Sequence, residues 1–321
     1  ERDDDGAARV RVFVPAREPG PHRFRFRVPL QPGEAVAENN ARETLVAVRG
    51  GRLKLLYFEG EPRFEAKFLR RAVADDPNLQ VVLLQRTAEE KFLRLDVDSA
   101  GELAGGFPRT REELYRYAAL VLGSVEASFF THDQHRMIAE FVDRRGGGLL
   151  ALGGRHALAE GGWAGTPVAD VLPVALPARG GLADAGRAAR EPEPVPVAAR
   201  PTPAGAAHPA LRLASDDEGS ARRWAALPPL TQVNRLGPLK PGAVALLAAD
   251  ARGAPALLAH QRYGRGQALV FTPQDSWLWQ MEAKVPLEDL SHETFWRQLL
   301  RWLAHEAERP VRAALPAGPA P

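Results

Sequence analysis

The first 50 residues carry a two-residue alternation of apolar and polar side chains that predicts β-strands. The alternation is cleanest over residues 22–28, and it recurs over residues 10–14 and 44–48. Three strands with one apolar face cannot form a sandwich alone. Residues 1–50 are therefore predicted to be part of a larger β module.

From Leu53 onward, apolar runs alternate with helical patterns. Residues 53–58 predict a buried strand, residues 64–73 an amphipathic helix, and residues 79–84 a second strand, which together form a βαβ unit with parallel strands. Later segments continue this pattern: helix 111–117, strand 119–123, helix 133–144, strands 149–152, 243–248, 256–261 and 267–272, and helix 293–305. We therefore predict an α/β fold with a doubly wound, mostly parallel sheet and helices on both faces.

The predicted strand at 149–152 locates the candidate binding cleft. Three glycines at 146–148 precede the apolar residues of this strand. A second glycine turn, at Gly153 and Gly154, follows the strand, and Arg155 and His156 come directly after the turn. Open α/β sheets bind ligands beyond the carboxyl ends of their strands, so these four residues are candidate cleft residues.

Composition limits the function. The 321 residues are 45% hydrophobic and 26% charged, with a formal net charge of +2 and a pI near 9.1, and this near balance of charges gives no reason to expect nucleic-acid binding. The chain has no cysteine, which excludes disulfides, iron–sulfur clusters and thiol catalysis. It contains no apolar run of membrane-spanning length and begins at Glu1, so we expect a soluble piece of a longer protein.

Two segments depart from the globular pattern. Residues 178–209 are rich in Ala, Pro, Arg and Gly and predict an irregular insertion, and residues 310–321 predict a disordered tail. The expected domains are thus a β segment at 1–50 and an α/β domain at 51–309.

Several motifs resemble the class I glutamine amidotransferase-like superfamily, most closely its uncharacterised bacterial membrane-protein branch. They are residues 56–65, 146–154, 161–167 with 171–174, and 263–266. Residues 1–50 resemble the end of an immunoglobulin-like module of the cell-adhesion-related kind. The resemblance implies a flavodoxin-like sheet, and it implies a parent protein of the cell envelope whose membrane helices lie outside this chain.

The catalytic residues of that superfamily are missing. Its active members place a cysteine on the turn after the central strand, where this chain has Gly153 and Gly154, and a histidine after a late strand, where this chain has Gln274 and Asp275. Without a thiolate no acyl intermediate can form, so we assign no catalytic residue.

A cluster of charges at the first strand end supplies the other candidates. Glu59, Glu61 and Arg63 follow that strand, and with Asp275 they could make a carboxylate pair for acid–base chemistry or a cation site. The simpler interpretation is an ion-paired loop that fixes the first helix, with Glu65 in its first turn.

Two further sets of residues allow more than one interpretation. The spacing of His132 and His135 permits a metal site, but an exposed helix start is the simpler interpretation, and we predict neither a metal nor a cofactor. Trp277 and Trp279 would project to one side of an extended segment, although core packing is favoured for them. Ser124 has no His–Asp partner visible in the sequence.

The leading hypothesis is a non-catalytic amidotransferase-like domain that binds protein partners or the rest of its parent chain at the cell envelope. The alternative is a hydrolase or sugar-modifying enzyme that uses Glu59, Glu61, Asp275 or His156 in place of the lost cysteine, and a third possibility is an oligomerisation module. An enzyme requires two of those groups in an open pocket. A scaffold would instead fill the cleft with Trp163, Trp277 or the insertion.

Overall fold

A computed structural model of the protein describes residues 18–29, 40–48, 51–177, 196–251 and 253–305. The chain divides into two compact units, Glu1–Arg52 and Leu53–Pro321. The strand predicted at 10–14, most of the predicted insertion and the predicted tail lie outside the described residues.

The described part of the first unit is an antiparallel ribbon of β1 (Gly20–Arg27) and β2 (Ala41–Val48). Both strands were predicted from their alternation. The ribbon places Phe24 opposite Thr44. An immunoglobulin-like module is not shown by these two strands.

The second unit is built on one nine-stranded mixed sheet. Its strands are β3 (Leu53–Glu59), β4 (Leu79–Ala88), β5 (Lys91–Leu95), β6 (Ala119–Leu122), β7 (Gly148–Leu152), β8 (Ala199–Pro201), β9 (Val244–Ala249), β10 (Ala256–Tyr263) and β11 (Gly266–Phe271). They lie in the order β5-β4-β3-β6-β7-β11-β10-β9-β8. The five strands from β4 to β11 in that order are parallel, and the flanking pairs are antiparallel.

Helices cover both faces of the sheet. They are α1 (Phe64–Val73), α2 (Arg111–Leu114), α3 (His132–Asp143), α4 (Pro167–Val171), α5 (Pro203–Ala206), α6 (Asp217–Ala226), α7 (Leu278–Met281) and α8 (Ser291–His305). In one hydrophobic core, α1 and α8 pack against every second residue of the strands. In the other core, α3 and α4 pack against the strand residues in between. The predicted α/β class with a mostly parallel central sheet is therefore confirmed.

The helix starts follow from local chemistry. Thr131 caps α3 and Thr110 caps α2, each within a capping box in which the side chain three residues on returns to the cap. The amphipathic pattern of 64–73 gives α1 with the predicted bounds. None of the described helices is long and apolar enough to cross a membrane.

Some elements differ from their predictions. Residues 91–95 form a strand where only a polar region was expected, and the helix predicted at 111–117 ends at Leu114. The predicted insertion is ordered in its last part, because Ala199–Pro201 pairs with β9 at the edge of the sheet. The segment of Trp277 and Trp279 is a helical turn instead of an extended strand, so the two side chains diverge.

Candidate functional site

The candidate residues meet at the carboxyl edge of the parallel strands. Glu59 ends β3, Ser124 follows β6, and Gly153 follows β7. These three strands are neighbours in the sheet, so residues distant in sequence become adjacent at this edge. We call this group of residues the strand-end cluster.

Glu59 is the centre of the strand-end cluster and is fully buried. Its carboxylate accepts hydrogen bonds from the Tyr57 hydroxyl at 2.6 Å, from the Ser124 backbone N–H at 2.7 Å, and from Arg63 Nε and Nη2 at 3.1 and 2.9 Å. Arg63 also donates from Nη1 to the Gly153 carbonyl at 2.8 Å. Burial alone would lower the pKa of Arg63, but the charge of Glu59, the hydrogen bonds to it and the nearby Tyr57 and Glu65 together have the larger effect, so the pKa of Arg63 is raised.

Glu61 lies at the outer rim of the cluster, near two residues that the sequence did not connect with it. The Ser124 hydroxyl donates to Glu61 Oε1 at 2.5 Å, and His156 Nε2 lies 3.9 Å from Glu61 Oε2. The His156 backbone N–H donates to Ser124 Oγ at 3.0 Å. Ser124, which lacked a partner in the sequence, therefore bridges the Glu61 carboxylate and the backbone N–H of His156.

The turn after β7 is held by an asparagine that no sequence motif indicated. Asn234 accepts from the Gly154 N–H at 2.8 Å and donates to the Gly154 carbonyl at 3.0 Å, and it accepts from Gln274 Nε2 at 3.1 Å. The Asn234 side-chain amide thus accepts one hydrogen bond from the Gly154 backbone and donates one to it, as the backbone of a neighbouring strand would. The predicted cleft residue Gln274 belongs to this support.

Asp275 and Glu65 lie on the α1 side of the edge. Asp275 Oδ2 accepts from the backbone and hydroxyl of Thr231 at 2.8 and 2.6 Å, and burial raises the pKa of Asp275. Glu65 accepts from the Ser276 hydroxyl at 2.5 Å, and burial raises its pKa to about 7. Neither carboxylate forms a hydrogen bond with Glu59 or Glu61, so Asp275 lies at this edge without being hydrogen-bonded to the two glutamates that were considered as its partners.

The turn after β7 is closely packed against its neighbours. A Cβ on Gly153 would collide with the carbonyl oxygen of Thr272, and a Cβ on Gly154 would collide with Ser124. Beneath the turn, the cavity that Trp163 lines has a volume of about 10 Å³, which is at the lower limit for a single water molecule. Trp163 is buried and donates from its indole N–H to the Val125 carbonyl at 2.8 Å.

Gly154→Ala is expected to lower the free energy of unfolding by about 1–3 kcal/mol, because the added methyl group overlaps Ser124. Combining it with Ser124→Gly should lose less than the sum of the two single effects, since the two atoms that overlap most, Ser124 Cβ and Oγ, are then absent. Urea unfolding of the four proteins measures this coupling. Gly105→Ala is the control, because nothing lies within 4 Å of a Cβ at Gly105; additive losses at 154 and 124 would contradict the overlap.

The remaining candidates are separated by the fold. His135 is buried and its Nε2 contacts the Ala127 carbonyl at 2.9 Å, whereas His132 is exposed. Among the described residues, no three His, Asp or Glu side chains are grouped as metal ligands. Trp279 packs in the core and Trp277 packs on Phe64, so the two tryptophans do not share a surface.

A second ion pair lies beside the cluster and was not predicted from the sequence. Arg86 binds both oxygens of Glu126 at 2.7 and 2.8 Å and donates from Nε to the Gly60 carbonyl at 2.9 Å. Arg155 lies exposed on the turn after β7. The edge therefore has a charged rim over a closed interior.

Comparison with known proteins supports the fold. No family model matches the chain, and no curated protein matches it at a significant level. The structure of the cytoplasmic protein STM1381 from Salmonella typhimurium LT2 is similar with a TM-score of 0.53 and 20% identity, covering 80% of this chain and 100% of that chain. The cytoplasmic protein STM3548 from Salmonella typhimurium is similar with a TM-score of 0.52 and 19% identity, covering 78% and 98%.

A third structure is more distant. It is a candidate GMP synthase protein from Thermoplasma acidophilum, with a TM-score of 0.36 and 10% identity over 81% of this chain and 100% of that chain. A similarity at this level carries no argument about activity. The two Salmonella structures show a similarity of fold alone.

Proposed function

We propose that the α/β unit is a non-catalytic, amidotransferase-like module that binds or scaffolds other protein segments. The observation that carries this proposal is the closed turn after β7, where Gly153 and Gly154 leave no room for a side chain. A nucleophile on that turn needs both a side chain and space for a substrate beside it. Positions 153 and 154 carry no side chain and leave no room for one.

The use of the carboxylates supports the same role. Glu59 accepts four hydrogen bonds, and Asp275 Oδ2 accepts three from Thr231 and Gln232. The Glu59 carboxylate, whose two oxygens both accept, is saturated in this way, so it holds loops in place and has little capacity left to take a proton from a substrate. Asp275 holds its loop through Oδ2 alone, because Oδ1 is buried with no hydrogen-bond partner among the described residues. We infer that the strand-end cluster is a structural lock.

A hydrolase is the second candidate, and one observation favours it: Ser124, Glu61 and His156 converge at the edge. Their arrangement differs from a serine hydrolase triad, because the Ser124 hydroxyl donates to the glutamate and the histidine ring lies near the glutamate. Ser124 is also fully buried. The hydroxyl would have to leave its partners before it could attack a substrate.

Hydrolysis of chromogenic esters, phosphate esters and glycosides by the purified chain tests both candidates. We expect no rate above buffer and no covalent labelling of Ser124 by a fluorophosphonate probe, because the hydroxyl is buried and the turn is closed. Glu61→Gln and Ser124→Ala serve as comparison variants, with thermal melting as the check on folding. Turnover that disappears in folded Glu61→Gln would overturn the scaffolding role.

We further propose that the parent protein is tethered at the cell envelope and that residues 1–50 complete an immunoglobulin-like module. Support comes from the motif resemblance and from the β1–β2 ribbon. Alkaline extraction of membranes from cells that make the natural full-length protein tests the tether. Recovery of the protein in the soluble fraction would contradict it, and the names of the two Salmonella neighbours point in that direction.

A further inference from the structure

We propose that the loop of residues 155–165 is a lid, and that the pocket which its Trp163 fills binds a neutral aromatic ring with a hydrogen-bond donor. The ring is an indole or a close analogue, supplied as a free molecule or as the side chain of a partner protein. This inference rests on the proposed binding role and names the chemistry that the module recognises. The turn at Gly153 and Gly154 stays closed in it.

The lid is folded on itself. The Gly161 N–H donates to the Ala157 carbonyl at 2.8 Å, and the Trp163 N–H donates to the Leu158 carbonyl at 3.1 Å. Compact surface loops of this length, packed by their own side chains, are frequently functional. Because these hydrogen bonds lie within the lid, they are kept when the lid swings away from the sheet as one body.

The lid is anchored on one short segment, residues 124–127, which follows β6. The indole N–H of Trp163 donates to the Val125 carbonyl at 2.8 Å, and the Gly161 carbonyl accepts from the Ala127 N–H at 2.9 Å. An opening motion therefore breaks contacts that are close together in the fold. This arrangement favours a hinged movement of the whole lid.

The backbone of the lid has one strained position and two flexible joints. Leu158 has a φ of 51°, in the left-handed region that a leucine rarely adopts. Strained residues of this kind cluster at ligand clamps and switch regions. Gly162 and Gly165, with φ of 73° and 77°, occupy the same region without a steric cost and allow the backbone to turn there. The closed lid is therefore a conformation of raised energy with joints at which it can move.

The pocket under the lid is formed largely by elements that stay in place. Leu122 ends β6, Leu152 ends β7, and Val168 and Leu172 come from α4 and the residue after it. Their side chains are apolar, so the pocket favours a ring without charge. The free volume beside Trp163 is only about 10 Å³, so the indole fills the pocket and its departure leaves a space of its own size.

Two hydrogen-bond acceptors lie beside the ring of Trp163. The first is the Val125 carbonyl, which loses its donor when the lid opens. The second is Nδ1 of His135, whose ring packs edge-on against Trp163 at 5.4 Å between centroids. Because His135 Nε2 lies against the Ala127 carbonyl, it carries the proton, and the buried Nδ1 is an acceptor that has no partner among the described residues. Both acceptors select a ring that donates.

Ligand-observed NMR titration of the whole chain with indole tests the inference. 1-Methylindole is the control probe, because it has the same ring system without the N–H. We expect indole to bind at least about tenfold more tightly than 1-methylindole, since a buried acceptor without a donor is costly. Equal binding of the two probes, or no binding of indole to the wild-type protein at about 5 mM, would overturn the inference.

Gly162→Ala tests the hinged movement without touching the pocket. Nothing lies within 4 Å of a Cβ at Gly162, so the methyl group only strains the closed backbone at its φ of 73°. The larger open population should tighten indole binding at least about threefold. Gly242→Ala is the matched control, because Gly242 has a φ of 83° and equally open surroundings in the turn before β9, and it should change the affinity less than about 1.5-fold. A Gly162→Ala protein that is folded by thermal melting and binds indole no more tightly contradicts the lid.

Hydrogen–deuterium exchange locates the movement. Amides of residues 155–165 should exchange faster when indole is added, because the bound ring holds the lid open. Slower or unchanged exchange in this segment would overturn the inference.

A capped Gly-Gly-Trp-Ala-Gly peptide, which has the sequence of residues 161–165, separates the two sources of the ring. Tighter binding of the peptide than of indole assigns the pocket to a partner protein. Tighter binding of indole assigns it to a free molecule.

The two proposals fail differently. Turnover that depends on Glu61 would remove the scaffolding role and leave indole binding under the lid intact. No binding of indole, together with no turnover, would overturn only the lid inference.

Discussion

Replacing Glu59 with alanine is expected to lower the free energy of unfolding by about 3–5 kcal/mol, because it leaves a buried guanidinium without its partner. The Tyr57 hydroxyl and the Ser124 backbone N–H lose their acceptor at the same time. Arg63 is 13% exposed and cannot recover full hydration in place. Urea unfolding of both proteins, monitored by tryptophan fluorescence, measures the loss.

A surface ion pair supplies the control for Glu59. Arg222 and Glu218 form an i,i+4 pair with side chains 68% and 83% exposed, and Glu218→Ala should change stability by about 0.5 kcal/mol or less. The double variant Glu59→Ala with Arg63→Ala should lose less than the sum of the single effects, since no unpaired charge remains. A loss below about 1 kcal/mol for Glu59→Ala would show that the strand-end cluster is not a structural lock.

The fold was predictable where one periodicity extends over a whole element. The helix predicted at 64–73 matches α1, and the apolar run at 149–152 lies within β7. Both patterns reflect burial, because α1 packs one face against a core and β7 packs its two faces against the two cores. β5 was missed for a physical reason. Its five residues are mostly half-buried or exposed, and their strand conformation depends on pairing with β4, which no local pattern encodes.

Only those contacts of the site that lie within one continuous stretch of the chain could be predicted from the sequence. Glu59 and Arg63 are four residues apart, so their meeting follows from the strand-to-helix turn. Ser124 is 65 residues from Glu59, and Asn234 is 80 residues from Gly154, so only the sheet order brings these partners together. The closure of the turn was equally hidden, because it depends on atoms of Thr272 and Ser124 that oppose the two glycines.

Replacing Glu65 with glutamine is expected to stabilise the protein at neutral and alkaline pH and to change little in acid. Burial raises the pKa of Glu65 from 4.5 to about 7, so between those values the folded state binds a proton that the unfolded state has lost. The contribution of Glu65 to stability therefore falls as pH rises from about 4.5 to 7, by roughly 3 kcal/mol in all. Glutamine stays neutral and keeps an oxygen that can accept from Ser276.

His292 changes the stability with pH in the opposite direction to Glu65. The informative quantity is therefore the difference in the free energy of unfolding between Glu65→Gln and the wild-type protein. Burial lowers the pKa of His292 from 6.5 to about 3, so its contribution to stability is lost as pH falls through that range. The two groups oppose each other between about pH 4.5 and 6.5, and burial also lowers the pKa values of His135 and His208, so the wild-type stability alone does not isolate Glu65. His292 is common to both proteins, so its effect cancels when Glu65→Gln is compared with wild type.

Urea unfolding of wild type and Glu65→Gln between pH 4 and 9 measures this difference. It should be near zero at pH 4, rise through pH 4.5 to 7, and stay constant above about pH 8. Glu288→Gln, at an exposed loop position, should give no such rise. A difference that is constant across the range would mean that Glu65 keeps its charge in the folded state because Arg63 stabilises it. The buried carboxylates of this edge would then be stabilised by a shared network of charges and hydrogen bonds instead of by separate contacts.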